Sequence, residues 1–238
     1  KCAQVGFTVM EMLAAIYMGI KFGEDIGRCT VGMFLPDQRL AGIKSSLRFI
    51  DAVRSVPEVH ALMTQDAADG SGTKSDEGNV DLRQIAKAVF LFAWTSCRAT
   101  TESMPMDVLS FDEVQEMTVA QIEKTLERIS ASRVRSVIMG STANWPEADI
   151  HHWFLLGTQH EFHSKCPSCG AAKPLADYFP ECIRFNKDRD TYGYVCPNGH
   201  WLNDPQEGDW IAKFPERDRG PQYDVPRKER KLRIRSIH

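Results

Sequence analysis

Met106-Asp107-Val108-Leu109-Ser110-Phe111-Asp112-Glu113 is apolar through most of its length and ends in two adjacent carboxylates. A strand covered on both faces reads as a nearly unbroken apolar run, so this segment predicts a buried strand of a parallel sheet. Ligands of such sheets bind beyond the carboxyl ends of the strands, which is where Asp112 and Glu113 fall. In a nucleotide-hydrolysing site the first carboxylate holds a Mg²⁺ shell and the second polarises the attacking water. An acidic strand end whose Asp caps the next helix is the plainer alternative.

The flanking sequence supplies the rest of such a sheet. Residues 8–21 (TVMEMLAAIYMGIK) predict a helix that is apolar on most sides and packs on a sheet. Cys29–Leu35 predicts a buried strand closed by Pro36. Residues 37–54 predict an amphipathic helix with Leu40, Ile43, Leu47, Ile50 and Val53 facing the core. Apolar runs at 88–94 and 134–139 predict two more strands. The helix at 118–129 should open with a capping box of Thr118 and Gln121. Residues 66–78, acidic and rich in Gly and Ser, predict a surface loop. Strands alternating with helices give an α/β domain whose parallel sheet is covered on both faces.

Two further segments bear on the chemistry. Lys1-Cys2-Ala3-Gln4-Val5-Gly6-Phe7-Thr8 precedes the first helix, where backbone N–H groups and a helix N-terminus converge on phosphates. Gly6 permits close approach, and Thr8 stands where a phosphate-loop hydroxyl holds Mg²⁺. The usual lysine before that hydroxyl is replaced by Phe7. Val137-Ile138-Met139-Gly140-Ser141-Thr142-Ala143-Asn144 is another apolar strand ending in small polar residues. Ser141 and Thr142 are placed to sense a γ-phosphate, or form an ordinary strand-to-loop turn.

After Gly157 His, Cys, Pro and Gly become frequent and helical periodicity stops. Cys166-Pro167-Ser168-Cys169-Gly170 is a zinc-knuckle pattern, with Gly170 easing the turn, and Cys196-Pro197-Asn198-Gly199-His200 offers a thiolate and an imidazole. Cys166, Cys169, Cys196 and His200 make a closed, structural Cys₃His set, with His160 and His163 as alternatives to His200. Cys182 reads as core. Seven cysteines, an odd number with four crowded between 166 and 196, fit metal binding in a reducing compartment better than disulfides. The expected layout is an α/β domain at 1–156, a zinc-binding module at 157–205 and a basic tail at 206–238. The pair His151-His152 with Trp153 reads as a surface or packing feature. Arg98 reads as a solvated loop residue or a γ-phosphate or DNA contact. Residues 227–235 read as a DNA-phosphate contact or a solvated linker end.

The net charge is −3, from 29 basic and 32 acidic residues, with 42% hydrophobic and 26% charged residues in a chain of 238. This is globular composition, which excludes a disordered chain and partners chosen by bulk charge. No apolar run approaches the ~20 residues of a membrane helix. The start at Lys1, directly before a phosphate-loop pattern and without Met, leads us to expect upstream residues supplying a further strand.

Four motifs in order, from Lys1 to about Trp210, make the chain resemble the large subunit of double-stranded DNA phage terminases, in the lambda-like branch. KCAQVGFT is similar to that branch's off-pattern phosphate loop, TESMPMDVLSFDEVQEM to its Walker B region, GSTAN to its coupling motif, and CPSCG with CPNGH to its zinc-binding insertion. The resemblance implies a P-loop ATPase of the additional-strand catalytic-glutamate type with a small zinc-ribbon-like module. It implies an ATP-driven motor translocating double-stranded DNA into a procapsid, oligomeric on a portal and working with a small terminase subunit in the host cytoplasm. Lys1 would be the phosphate lysine, in a loop with Gln4, Val5, Gly6, Phe7 and Thr8; Thr8 and Asp112 would hold Mg²⁺, and Glu113 would be catalytic. The family's nuclease half is not expected within these residues. The competing readings are a superfamily 2-type helicase or translocase, and a zinc-ribbon nucleic-acid-binding protein on an inactive P-loop core.

Overall fold

The structure is a computed structural model that describes residues 6–65, 79–97, 102, 104–218 and 236. Lys1, Gln4, Val5, the 66–78 loop, Arg98 and the basic stretch 227–235 lie outside the described residues. The chain divides into two compact units, residues 1–151 and 152–238.

The first unit is an α/β layer around a five-stranded sheet ordered β2-β3-β1-β4-β5. The strands are β1 (Cys29–Leu35), β2 (Leu82–Ile85), β3 (Ala88–Trp94), β4 (Val108–Asp112) and β5 (Ser136–Gly140). β1 pairs in parallel with β3 and β4, and β4 in parallel with β5. β2 is antiparallel to β3, so the sheet is mixed rather than wholly parallel. The reason is local: Ala86 adopts a positive φ of 49°, and the tight reversal at Ala86-Lys87 folds a short strand back on β3. Every residue of β4 is buried, as an unbroken apolar run requires.

Helix α1 (Phe7–Ile26) starts from Gly6, which is left-handed at φ 74° and accepts hydrogen bonds from the N–H groups of Val9 and Met10. It buries Met12, Ala15, Ile16, Gly19 and Gly23, an i, i+3/i+4 stripe. The core is rich in Phe34, Phe49, Phe90, Phe92 and Phe111, each contributing about 1.5–3 kcal/mol on burial.

Residues 37–54 are helical from an Asp37 cap, but not as one α-helix: α2 (Gln38–Ile43) leads into a π-helical segment (Lys44–Phe49) and then α3 (Ile50–Arg54). Ile50 and Val53 are buried as expected, whereas Leu40, Ile43 and Leu47 are 37%, 38% and 62% exposed. Ala41, Lys44, Ser45 and Phe49 take the inner face instead. The i→i+5 bonding of a π turn inserts an extra residue per turn and breaks the 3.6-residue phase that the apolar spacing implied. α4 (Pro57–Gln65) follows. α5 (Val119–Leu126) opens with the expected capping box, each of Thr118 and Gln121 bonding the other's backbone N–H.

The division between the units falls within α6 (Asp149–Leu156). The second unit holds a three-stranded antiparallel sheet, β10-β6-β7, and a hairpin of β8 and β9. Their ranges are β6 (His160–Lys165), β7 (Ala172–Lys173), β8 (Ile183–Asn186), β9 (Thr191–Tyr194) and β10 (Gly208–Ala212). Residues 208–212, expected in the tail, pair along β6 and belong to this unit's sheet. Among the described residues no helix is long and apolar enough to cross a membrane.

Candidate functional site

The parallel strands end together. Register pairs Leu35 with Trp94, Phe34 with Phe111, and Asp112 with Gly140, so Asp112-Glu113 and Ser141-Thr142 leave neighbouring strands at the same edge. The start of α1 reaches that edge too. Thr8 Oγ1 lies 3.5 Å from Asp112 Oδ1, a contact spanning 104 positions of sequence. A hydroxyl and a carboxylate converging at a helix N-terminus are an oxygen donor set that suits Mg²⁺.

Asp112 is 3% exposed, and its second oxygen, Oδ2, accepts a hydrogen bond from Lys44 Nζ at 3.2 Å. The same ammonium lies 3.7 Å from Glu11 Oε1 of α1, which also accepts a hydrogen bond from the Ser110 hydroxyl of β4. Lys44 and Glu11 are both buried. This cluster ties the first helix, the π-helical segment and β4 together beneath the site. Nothing in the apolar pattern announced Lys44, because that pattern placed it off the inner face. The buried Glu11 was equally hidden within an otherwise apolar helix.

Glu113 follows Asp112 in a left-handed conformation, φ 59° and ψ 45°, and heads the short 3₁₀ turn Val114–Glu116. Left-handed backbone at a non-glycine residue is uncommon and gathers at functional sites. Its N–H donates to Asp112 Oδ1 at 3.1 Å, and its Oε2 accepts from Gln115 Nε2 at 2.7 Å. Ser141 is buried at the end of β5 and bonds Gln115 through both the backbone N–H, at 2.9 Å, and the side-chain carbonyl. Thr142, the other residue expected to sense phosphate, is exposed.

Phe7 occupies the position of the missing lysine and serves a packing role there. Its ring covers the backbone of Gly140: a Cβ there would lie 2.8 Å from Phe7 Cδ1 and closer still to Cε1. Phe7 packs the start of α1 onto the end of β5, and its side chain offers no polar atom to a nucleotide.

In the second unit the two knuckles converge. The ligand atoms of Cys166, Cys169, Cys196 and His200 all lie within 4.8 Å of one another. Tetrahedral zinc with Zn–S bonds of about 2.3 Å sets its ligand atoms about 3.8 Å apart. The Cys169–Cys196 sulfur separation is 3.8 Å, and Cys196 Sγ lies 3.6 Å from His200 Nδ1. Each knuckle turns on a glycine at positive φ, Gly170 at 70° and Gly199 at 82°. The N–H of Gly170 donates to Cys166 O and that of Gly199 to Cys196 O, both at 2.8 Å. The Cys169 thiol is lowered to about 6, chiefly by the Ala171 N–H and then by the Asn198 amide, which donates to its sulfur at 3.4 Å. Burial raises Cys196. These four side chains could hold zinc; His160 instead bonds the Thr158 hydroxyl through Nδ1 at 2.8 Å, and Cys182 is buried as core.

No curated protein matches the chain. The family model described as phage terminase large subunit gpA, ATPase domain, matches residues 1–213 and so takes in the strand-end cluster and both knuckles. Matched over that length, the chain belongs to the ATPase domain family of phage terminase large subunits, enzymes that hydrolyse ATP to drive the packaging of phage DNA.

Proposed function

We propose that hydrolysis takes place at the edge where Thr8, Asp112 and Glu113 meet. The observation that carries this reading is the approach of Thr8 Oγ1 to Asp112 Oδ1 at the N-terminus of α1. ATP lays its phosphates along the loop of Lys1, Gln4, Val5, Gly6, Phe7 and Thr8, with Lys1 as the charge that Phe7 cannot supply. Phe7 contributes through its backbone, since its ring is committed to Gly140. Thr8 and Asp112 would hold Mg²⁺, which would supply positive charge to offset that of the phosphates. Lys44 fixes the Asp112 carboxylate from below. Glu113 accepts a proton from water and orients it for in-line attack, while the Gln115 amide holds its Oε2. Ser141 and Thr142 respond to the γ-phosphate and relay its loss.

Cys166, Cys169, Cys196 and His200 close around one structural zinc with no position left for a substrate. The motor takes double-stranded DNA into a procapsid, assembled as an oligomer on the portal with a small terminase subunit, in the host cytoplasm. Neither the helicase reading nor the inactive-core reading gains support from the family match.

Glu113→Gln tests the site. The amide preserves size but accepts no proton, so steady-state turnover should fall by about 100-fold or more while ATP affinity stays near wild type. Asp112→Ala should instead weaken Mg·ATP binding. Wild-type turnover by Glu113→Gln would remove Glu113 from the chemistry.

A further inference from the structure

Between the hydrolytic carboxylate and the β5 end stands a side chain to which neither the family description nor the sequence motifs assign a role. Gln115 donates from Nε2 to Glu113 Oε2 at 2.7 Å. Its own N–H donates to Ser141 Oγ at 2.9 Å, and its Oε1 accepts the Ser141 hydroxyl. One residue thus grips Glu113 with one end of its amide and Ser141 with the other end and with its main chain. We propose that Gln115 is the positioning residue that sets Glu113 for hydrolysis and transmits to it any displacement of Ser141. This inference rests on the assignment of Glu113 as the water-orienting base.

The chemistry of an amide suits the task. An ionised carboxylate accepts only, so the NH₂ end must face Glu113, and this leaves the carbonyl for a hydroxyl donor. Ser141 is buried; its Oγ accepts the Gln115 N–H, and its one hydroxyl proton is shared between Gln115 Oε1 and the carbonyl of Thr142, 2.9 Å away. Its freedom to move without disturbing Gln115 is therefore small. The backbone adds to the restraint. Asp112 pairs with Gly140 across β4 and β5, so Glu113 and Ser141 are the first residues beyond a paired position on adjacent strands. The left-handed turn at Glu113 starts the 3₁₀ segment Val114–Glu116, in which Gln115 sits.

Positioning, not binding, is the consequence. Gln115 meets the carboxylate at Oε2 and so restrains the direction in which Glu113 faces. A carboxylate that swings by about 1 Å loses in-line geometry and can cost about 100-fold in rate without changing ground-state affinity. Side chains of similar length separate the contributions. Gln115→Leu removes both side-chain bonds and keeps the bulk. Gln115→Glu keeps the shape but sets a second carboxylate against Glu113.

The experiment measures kcat, ATP affinity by fluorescent-nucleotide titration and thermal midpoint for the full-length protein. Gln115→Leu, Gln115→Glu, Ser141→Ala and the double variant Gln115→Leu/Ser141→Ala are compared with Glu113→Gln. We expect kcat to fall about 10- to 100-fold in both Gln115 variants, with ATP affinity within about twofold of wild type. The double variant should lose less than the product of the two single losses, because the two residues share a contact. Wild-type kcat in Gln115→Leu beside an inactive Glu113→Gln overturns the proposal and leaves the assignment of Glu113 standing. So do strictly multiplicative losses in the double variant, or losses of kcat and affinity that only follow a lowered thermal midpoint in both Gln115 variants. Wild-type turnover in Glu113→Gln overturns the assignment of Glu113 itself.

Discussion

Lys44 meets two carboxylates inside the protein, Asp112 at 3.2 Å and Glu11 at 3.7 Å, with all three side chains at most 4% exposed. Charges removed from water so completely persist only where partners meet them, and deleting one partner leaves the others uncompensated. Lys44→Met keeps most of the aliphatic stem and removes the ammonium. It should cost about 3–5 kcal/mol in the urea unfolding free energy. Adding Glu11→Gln should restore part of that loss, since one fewer buried carboxylate then lacks its cation. A Lys44→Met protein of unchanged stability, or a double variant less stable than the single, would show that the cluster does not hold the fold in this way. The cluster was illegible in sequence for a physical reason: an amphipathic pattern records where apolar groups fall, whereas Lys44 is buried by its partners. The carboxylates Asp112 and Glu113 were legible because they end an apolar run abruptly. Gln115, two residues later, carried no such contrast.

At the scale of elements, β1 and β3 have the ends that the apolar runs at 29–35 and 88–94 indicated, and the capping box of α5 is present as read. Local chemistry decides these features. β2 escaped notice because Leu82-Arg83-Gln84-Ile85 is short and polar by half, and only pairing with β3 makes it a strand. The π-helical phase shift was equally hidden, since Lys44 and Ser45 within it meet Asp112, Glu11 and Arg83, contacts distant in sequence that apolar spacing does not record. Phe7 is the element-scale counterpart of Lys44, a departure from motif that packing explains. Its ring needs residue 140 to be glycine, and Gly140→Ala should cost about 1–3 kcal/mol by overpacking. Phe7→Ala in the same protein opens the space, so the penalty of Gly140→Ala should shrink in that background. Additive losses in urea midpoints would mean that the two residues do not meet.

Across the whole molecule, the two units draw their stability from different sources. The first has a continuous apolar core running from α1 through β1, β3 and β4. Around the knuckles the second has a small cluster of Cys166, Cys196 and Leu202, with Ala171 and Leu175 against them and Cys182 and Val195 also buried. A core that small does not hold two knuckles closed by apolar burial, and the four converging ligand atoms offer what it lacks. Binding of structural zinc is worth about 10–16 kcal/mol in small peptides at neutral pH, far more than those few side chains supply. The expected consequence is a selective collapse. Native mass spectrometry should find one zinc per chain. Chelation should then raise hydrogen exchange across residues 160–205 while the strands of the first unit keep their protection and the nucleotide site keeps its affinity. Cys166→Ser with Cys196→Ser should reproduce that pattern without chelator. Zinc retained by the double variant would remove these residues as ligands, and unchanged exchange after verified zinc loss would show that the apolar contacts suffice.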